Sequence, residues 1–183
     1  KKKSKNSLII NNKSKNLKEF NPVTNIDRSF EKYIRSEIEK IFPKDGIIGE
    51  EYKNKESSND FKWSIDPIDG TKAFVIGLPT WSNLISFSYK EEPLLGLANF
   101  PDLNKYYLND DNISYLFKNK KKKRIKSSKS NNIKKITILG NFHGVLTDKH
   151  EKRIIKKFGH SFRSVTLDAL AYCLLVGSSP HLC

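Results

Sequence analysis

Two carboxylates separated by two residues are the part of this sequence best suited to chemistry. They lie in the segment Trp63-Ser64-Ile65-Asp66-Pro67-Ile68-Asp69-Gly70-Thr71. Trp63 and Ile65 are typical of the end of a buried strand, and Pro67, which has no N–H to give to a sheet, is expected to end it. Asp66 would then lie at the carboxyl end of a strand and Asp69 in the turn that follows. Both carboxylates can therefore converge on one point.

Such a convergence suggests a cation site. Two ionised carboxylates held close together repel each other and need a compensating positive charge. Mg²⁺ suits this arrangement, because it takes one or two carboxylates and leaves room for a substrate phosphate. The alternative is an ordinary surface turn, since Asp-Pro and Asp-Gly pairs are common in turns. The motif alone leaves both interpretations open.

A second pair of acids precedes the motif. The segment Gly46–Gly49 predicts a short buried strand that delivers Glu50 and Glu51. If the two strands lie side by side, three or four carboxylates meet at one sheet edge, which is enough for a two-metal site of phosphoryl transfer. The amides of Gly70 and Thr71 would open a helix beginning near Lys72 and offer a seat for phosphate. The Thr71 hydroxyl would also hold a metal-bound water beside Glu50.

The clearest predicted element is an amphipathic helix upstream of these acids. Thr24 and Asp27 have the spacing of a helix N-terminal cap. Apolar residues then recur at helical spacing until Pro43; they are Ile26, Phe30, Ile34, Ile38 and Ile41. Residues 1–21 carry no predicted element.

Strands and helices predicted along the rest of the chain indicate an α/β (α+β) fold. Alternating residues predict strands over 62–65, 81–89, 94–99, 105–108 and 113–117. In the last third, strands predicted at 136–139 and 161–165 alternate with helices at 148–158 and 167–176, which indicates an α/β layer. We therefore predict an N-terminal α+β subdomain over 1–132 that carries the site, and a partial α/β subdomain over 133–183.

The chain is strongly basic, and much of the excess charge is clustered. Lys plus Arg number 34 against 20 Asp plus Glu, a formal net charge of +14. The densest cluster is Lys118–Lys135, which we interpret as an exposed connection between the subdomains. A competing hypothesis is an inactive basic chain that binds nucleic acid through this cluster. No aromatic residue interrupts Lys118–Asn132, so a stacking platform for bases is lacking there, and a nucleic-acid partner is not expected.

Cysteine content and hydropathy argue against a disulfide framework and a bilayer crossing. The two cysteines, Cys173 and Cys183, fit a reducing compartment. Apolar runs such as Ala169–Val176 are too short to span a membrane, and Lys1–Asn16 lacks the apolar core of a signal peptide. We expect a cytoplasmic protein with no membrane partner. Because the chain contains no Met, we also expect it to be a fragment.

Taken together, the acids resemble the signature of the inositol monophosphatase family. The resemblance rests on Gly49-Glu50-Glu51 and on Trp63–Thr71, with Pro22–Asp27 similar to the family's P-V-T-x-x-D helix start. It extends over roughly Lys18–Gly177. It implies a layered αβαβα sugar-phosphatase-like sandwich and Mg²⁺-dependent, lithium-sensitive hydrolysis of a small phosphate monoester with two or three Mg²⁺ ions. A phosphorylated metabolite is the expected partner, and a homodimer is one assembly that it allows.

The resemblance also implies roles for individual residues. Glu50 would bind the first metal and help activate water, with Thr71 as its partner. Asp66 would bridge two metals, and Asp69 would bind the second. The carbonyl of Ile68 would complete the first site.

Other positions would support these residues. Glu51 would be a supporting acid, and Asp27 matches the family's helix-start acid near the site. Lys18, Lys13 and Lys15 compete as the match to an upstream lysine of the family.

Within the family, the segment from Gly70 to Trp81 is similar to the G-T-K-x-F-x-x-G-x-P segment of histidinol-phosphatases. This branch implies histidinol-phosphate as substrate and a role in histidine biosynthesis, with inositol-1-phosphate or a nucleotide 3′-phosphate as the alternatives. Asp168 would contact the substrate's amine or hydroxyl, or would only be an acid favoured at a helix N-terminus. Arg163 would be a substrate ligand or a surface residue.

One departure from the family pattern is expected to matter. Members continue to a Trp-Asp-x-x-Ala segment whose Asp completes the second metal site, and this sequence ends without it. We therefore expect an incomplete second subdomain and a weakened second metal site, since losses even among supporting residues typically cost on the order of 10–100-fold.

Overall fold

The computed structural model describes most of the chain up to residue 127 and several shorter pieces beyond it. The described ranges are 8–13, 22–110, 112–127, 138–140, 148–158, 162–164 and 167–175. They form a mixed α+β fold around a seven-stranded sheet, which confirms the predicted fold class.

A short hairpin and a long helix open the described structure. Strand β1 (Ile10–Asn12) pairs antiparallel with β2 (Pro22–Thr24), and β2 runs directly into helix α1 (Asn25–Ile41). The helix was predicted from its apolar spacing. Strand β1 was missed, because its three residues are all exposed and carry no alternation of apolar and polar side chains.

The start of α1 has the predicted capping box. The Thr24 hydroxyl accepts the backbone N–H groups of Ile26 (3.2 Å) and Asp27 (3.4 Å). In return, the Asp27 carboxylate accepts the backbone N–H of Thr24 at 2.8 Å and its hydroxyl proton. Because both side chains are buried, these hydrogen bonds satisfy polar groups that water does not reach.

The central sheet runs in chain order. Its strands are β3 (Gly46–Gly49), β4 (Phe61–Asp69), β5 (Ser82–Tyr89), β6 (Glu92–Phe100), β7 (Lys105–Asp110), β8 (Ile113–Lys118) and β9 (Lys121–Ile125). β3 and β4 are parallel, and every later neighbour is antiparallel. Helix α2 (Thr71–Val75) separates β4 from β5, and a 3₁₀ turn (Pro101–Leu103) follows β6.

The prediction that Pro67 ends the acid-bearing strand is wrong. β4 continues through Pro67 to Asp69, and its register against β5 shifts between Asp66 and Asp69, so that two residues of β4 oppose Asn83 alone. Asn83 Nδ2 donates to the Pro67 carbonyl at 2.7 Å. A proline is tolerated at such a bulge because its missing N–H is not needed there. Asp69 is therefore the last residue of the strand, and the turn begins at Gly70.

The basic segment also differs from its prediction as a simple connection. Lys121–Ile125 forms β9, which pairs with β8, while residues 128–135 lie outside the described structure. The strand was not predicted because its first four residues are all basic, so apolar and polar residues do not alternate. Within β9, Ile125 is the buried residue. Lysines on an outer strand discourage edge-to-edge association with other chains.

The C-terminal part confirms the predicted alternation of strands and helices within the described residues. Strand β10 (Ile138–Gly140) pairs in parallel with β11 (Phe162–Ser164), and helix α3 (Asp148–Phe158) lies between them in sequence. Helix α4 (Ala169–Leu174) follows. The predicted boundary at residue 132 falls outside the described ranges and stays a prediction. Among the helices that the structure describes, none has the length and apolar composition needed to cross a membrane.

A small apolar core joins α1 to the parallel strand pair. Ile38 of α1, Ile47 of β3 and Ile65 of β4 are buried together, with Ile34 and Trp63 packed against them. Trp63 Nε1 donates to Asp45 Oδ2 at 2.9 Å, which satisfies its indole N–H. This core holds β3 beside β4, and so holds the ends of both strands together.

We expect Ile47→Ala to lower the free energy of unfolding by about 2–5 kcal/mol, because Ile47 is fully buried and its truncation leaves a cavity. Urea denaturation followed by circular dichroism measures this loss. The matched control is Ile41→Ala, whose side chain is 67% exposed and whose truncation should cost about 0.5 kcal/mol or less. Equal losses in both variants would contradict the assignment of the core.

Candidate metal centre

The parallel pairing of β3 and β4 brings the predicted acids together. Gly49 is the register partner of Ile65, so Glu50 and Asp66 each stand one residue beyond that pair. Burial, followed by the neighbouring charges of Glu50 and Asp69, raises the pKa of Asp66 to about 7. The backbone N–H of Ile68, which donates to Asp66 Oδ1 at 3.1 Å, opposes this rise. Asp66 therefore lies close enough to Glu50 and Asp69 for their charges to act on it.

Asp69 connects the strand edge to two other elements. Its Oδ2 accepts the hydroxyl proton of Ser82 at 2.9 Å and the backbone N–H of Ala169 at 3.0 Å. Ser82 begins β5, and Ala169, which is 100 residues beyond Asp69 in the sequence, begins α4. The hydrogen bond from Ala169 thus brings the start of α4 to the acids.

Asp168 lies against the Gly70 turn as a result. Gly70 has φ of 78° and ψ of 42°, a left-handed conformation that favours glycine. A Cβ at this position would lie 2.8 Å from Asp168 Oδ2, so the close approach also needs a glycine. Burial, and then the charge of Asp69, raises the pKa of Asp168, while Lys72 opposes the rise. The structure therefore places the predicted substrate-contacting acid beside the predicted metal ligands.

Thr71 contacts the Ile68 carbonyl, which was predicted to be a ligand of the first metal together with Glu50. Its hydroxyl donates to the carbonyl oxygen of Ile68 at 3.0 Å. Thr71 opens α2 directly after the Gly70 turn, so the chain reverses between the two groups that form this hydrogen bond.

Lys13 forms ion pairs with both Glu50 and Glu51. Its Nζ lies 2.8 Å from Glu50 Oε1 and 2.5 Å from Glu51 Oε1. The Glu51 side chain is 2% exposed, and Arg28 Nε is 3.9 Å from its other oxygen. Burial raises the pKa of Glu51, and the hydrogen bond and charge of Lys13 counter that rise. Of the lysines that compete for the upstream position, Lys13 is the one that the described structure places at the acids.

Glu31 is a supporting residue that sequence reasoning missed. It is fully buried and accepts the backbone N–H groups of Glu51 (2.7 Å) and Tyr52 (3.3 Å) and Arg35 Nε (2.8 Å). A Cβ on Gly49 would overlap its carboxylate, so Gly49 makes room for it. The spacing of Glu31 and Arg35 is the only signal in the sequence, and it is equally typical of an exposed helix face.

The remaining predicted residues are less closely involved. Asp27 caps α1, although its charge contributes to the environment of Glu51. Arg163 lies in β11 as the register partner of Leu139, and the position of its side chain lies outside the description. Its predicted role stays a prediction.

The donor set has the chemistry of a site for a hard cation. Glu50, Asp66, Asp69 and the Ile68 carbonyl offer only oxygen, which Mg²⁺ and Ca²⁺ prefer. Burial, and then the charges of Glu50 and Asp69, raise the pKa of Asp66, and a divalent cation would stabilise its ionised form. Within the described ranges, no three His, Cys, Asp or Glu side chains already surround a common metal position. The residues fit such a cation by the type of their donor atoms and by their proximity to one another.

Glu50 and Asp66 also line a largely apolar groove of about 720 Å³ on the sheet. Its lining includes Ile48, Leu84, Tyr107 and the free thiol of Cys173. Burial raises the pKa of that thiol to about 11, which keeps it protonated and unreactive at neutral pH. The apolar lining is consistent with the desolvation that acts on Asp66.

The mixed sheet and the acid cluster at the ends of its parallel strand pair agree with the resemblance to the inositol monophosphatase family. The family model of the inositol monophosphatase family matches residues 1–179. The chain belongs to the inositol monophosphatase family.

Curated relatives match a part of the chain. A histidinol-phosphatase of Chlorobaculum parvum is 43% identical over 86 residues, which are 47% of this chain and 33% of that protein. A fructose-1,6-bisphosphatase/inositol-1-monophosphatase of Aquifex aeolicus is 34% identical over 97 residues, 53% of this chain and 36% of that protein. Each match spans about a third of the relative's length.

Solved structures share the fold over most of the chain. The IMPase of Thermotoga maritima is 29% identical, with a TM-score of 0.69, and the similarity covers 90% of this chain and 62% of that one. An IMPase/NADP phosphatase complexed with NADP and Ca²⁺ is 20% identical, with a TM-score of 0.72, over 86% of this chain and 58% of that one.

We expect Glu31→Ala to lower the free energy of unfolding by about 3–5 kcal/mol, because it removes one partner of a buried ion pair and leaves two N–H groups unsatisfied. Guanidinium denaturation measures the loss. Glu37→Ala is the matched control on the same helix, since its ion pair with Lys40 is exposed and contributes little to stability. A loss at Glu31 no larger than at Glu37 would contradict the supporting role.

Proposed function

We propose that this protein carries the metal and phosphate site of a phosphatase that hydrolyses a small phosphate monoester with Mg²⁺. The observation that carries the proposal is the register of β3 against β4, which sets Glu50 beside Asp66 and Asp69. Membership of the inositol monophosphatase family supports it, since members of this family are metal-dependent. The Ca²⁺ in the related IMPase/NADP phosphatase supports a divalent cation on this fold.

In this proposal, each acid has a distinct task. Asp66, whose pKa is raised by burial and by the charges of Glu50 and Asp69, would be a ligand of two cations. Glu50 and the Ile68 carbonyl would hold the first, and Asp69 the second, within a complement of two or three ions. When bound, the cations would polarise the phosphoryl oxygens and lower the pKa of water. Glu50 would accept the proton of the attacking water.

The Gly70-Thr71 turn would orient the phosphate. Because Gly70 has no side chain, the backbone of the turn lies close to Asp168. The Thr71 hydroxyl donates a hydrogen bond to the Ile68 carbonyl. The Thr71 hydroxyl would orient the attacking water beside Glu50. Glu51, held by Glu31 and Lys13, would keep the end of β3 in place.

Histidinol-phosphate is the substrate that we propose, and a role in histidine biosynthesis in the cytoplasm follows from it. The Gly70–Trp81 segment and the 43% identity to the Chlorobaculum histidinol-phosphatase support this choice. Asp168, which lies against Gly70, would pair with the substrate's amine, and Arg163 would be a further ligand. Inositol-1-phosphate and a nucleotide 3′-phosphate remain the alternatives, and the Aquifex relative's name supports the inositol ester.

The test of the proposed activity is phosphate release by the full chain from a panel of phosphate esters, with Mg²⁺ and with a chelator. We expect release only with Mg²⁺, fastest from histidinol-phosphate, and a loss of about 100-fold or more in Asp66→Asn, because a metal ligand matters at least as much as its supporting residues. Asp60→Asn, an exposed loop acid, is the control and should leave the rate unchanged. Release that ignores the chelator, or no release from any ester, would refute the proposal.

The role of Asp168 can be separated from the metal site by the choice of substrate. Asp168→Asn should lower kcat/KM for histidinol-phosphate about 10-fold or more, the value of a hydrogen bond to a charged amine. Hydrolysis of 4-nitrophenyl phosphate, which has no amine, should be nearly unaffected. An equal loss on both substrates would mean that Asp168 supports the fold or the metal site instead.

A further inference from the structure

We propose that Lys13 is a positioning residue that holds Glu50 by its ammonium group and gives up this carboxylate when a divalent cation binds there. The inference rests on the proposed function, because it takes Glu50 as a metal ligand. It adds a link between the N-terminal hairpin and the occupancy of the metal site. The observation behind it is the position of Lys13 Nζ, 2.8 Å from Glu50 and 2.5 Å from Glu51.

The position of Lys13 is set by the backbone around it. Lys13 directly follows β1, which pairs residue for residue with β2. Two further hydrogen bonds fasten the hairpin to the start of α1, from Asn25 N to the Ile9 carbonyl (3.2 Å) and from Ile9 N to Asn25 Oδ1 (3.0 Å). The lysine is therefore delivered to the end of β3 by strand pairing, and its side chain is 27% exposed.

The two glutamates that Lys13 contacts are held very differently. Glu51 is 2% exposed, lies near Arg28 at 3.9 Å, and has its backbone N–H bound by Glu31. The Glu50 side chain is 46% exposed. Among the described residues, Lys13 forms its ion pair. The Glu50 contact is therefore the one that can be exchanged, while the buried Glu51 keeps Lys13 nearby.

A divalent cation at Glu50 would compete with Lys13 in two ways. It would bind the same carboxylate, and its charge would repel the ammonium group. The free energy of the Lys13–Glu50 contact must then be subtracted from that of metal binding. Exposed and partly exposed ion pairs are modest in strength, so the effect on metal affinity is a small factor.

The first experiment compares metal binding by the full chain and by Lys13→Gln, with Mg²⁺ measured by calorimetry and Mn²⁺ by electron paramagnetic resonance. We expect Lys13→Gln to tighten metal binding about two- to fivefold, because it removes the competing cation. Lys44→Gln, an exposed lysine in the turn after α1, is the matched control and should leave the affinity unchanged. Unchanged or weaker binding by Lys13→Gln would overturn the inference.

A second experiment needs no variant and so does not depend on the folding of one. The rate at which acetic anhydride modifies Lys13 is followed by mass spectrometry, relative to Lys44, with and without Mg²⁺. We expect modification of Lys13 to become faster with Mg²⁺, because its ammonium group loses one of two carboxylate partners. A Lys13 rate that stays constant at saturating Mg²⁺ would overturn the inference.

The outcomes separate this inference from the proposed function. If the wild-type chain binds neither Mg²⁺ nor Mn²⁺, the proposed metal site fails and this inference fails with it. If the wild-type chain binds metal and Lys13 affects neither affinity nor labelling, only the inference about Lys13 fails.

Discussion

The burial of Asp66 beside two other acids, at the end of a parallel strand pair, is the constraint on which the candidate site depends. The register of β3 against β4 sets Asp66 near Glu50 and Asp69, and burial, followed by the charges of these two acids, raises the pKa of Asp66. Such an arrangement persists only when surrounding groups hold it. The core of Ile38, Ile47 and Ile65 supplies that hold by fastening both strands to α1.

The neighbouring elements each contribute a donor to this acid cluster. Ser82 at the start of β5 and Ala169 at the start of α4 both donate to Asp69, and Ile68 donates to Asp66 through its backbone. Lys13 brings a full positive charge from the N-terminal hairpin. Segments that are far apart in sequence thus meet at the acid cluster. Each of these donors stabilises the negative charge of one of the carboxylates. A site built in this way has the oxygen donors of a cation site and the local structure to position them.

Two buried carboxylates away from the cluster show how the surrounding structure is specified. Asp27 is satisfied by the backbone and hydroxyl of Thr24, and Glu31 by two backbone N–H groups and Arg35. Neither lies among the acids proposed to bind metal. Glu31 joins α1 to the residues that follow β3, whereas Asp27 closes the cap at the start of α1, since a buried carboxylate is tolerated only where its donors are. The helix is therefore oriented by polar contacts as well as by its apolar stripe.

The sequence by itself determined most of the elements and the acids that stand near their ends, because apolar spacing, Thr24 capping and the motif at Asp66 are local properties. It predicted α1, the central strands and the α/β character of the last third. It did not predict that β4 passes through Pro67, since a bulge depends on the partner strand. Nor did it predict strand β9, the burial of Glu31 or the contact of Lys13 with Glu50 and Glu51. Those features were decided only by the tertiary structure, because each depends on residues that are distant in sequence and become neighbours only when the strands pair and α1 packs against them.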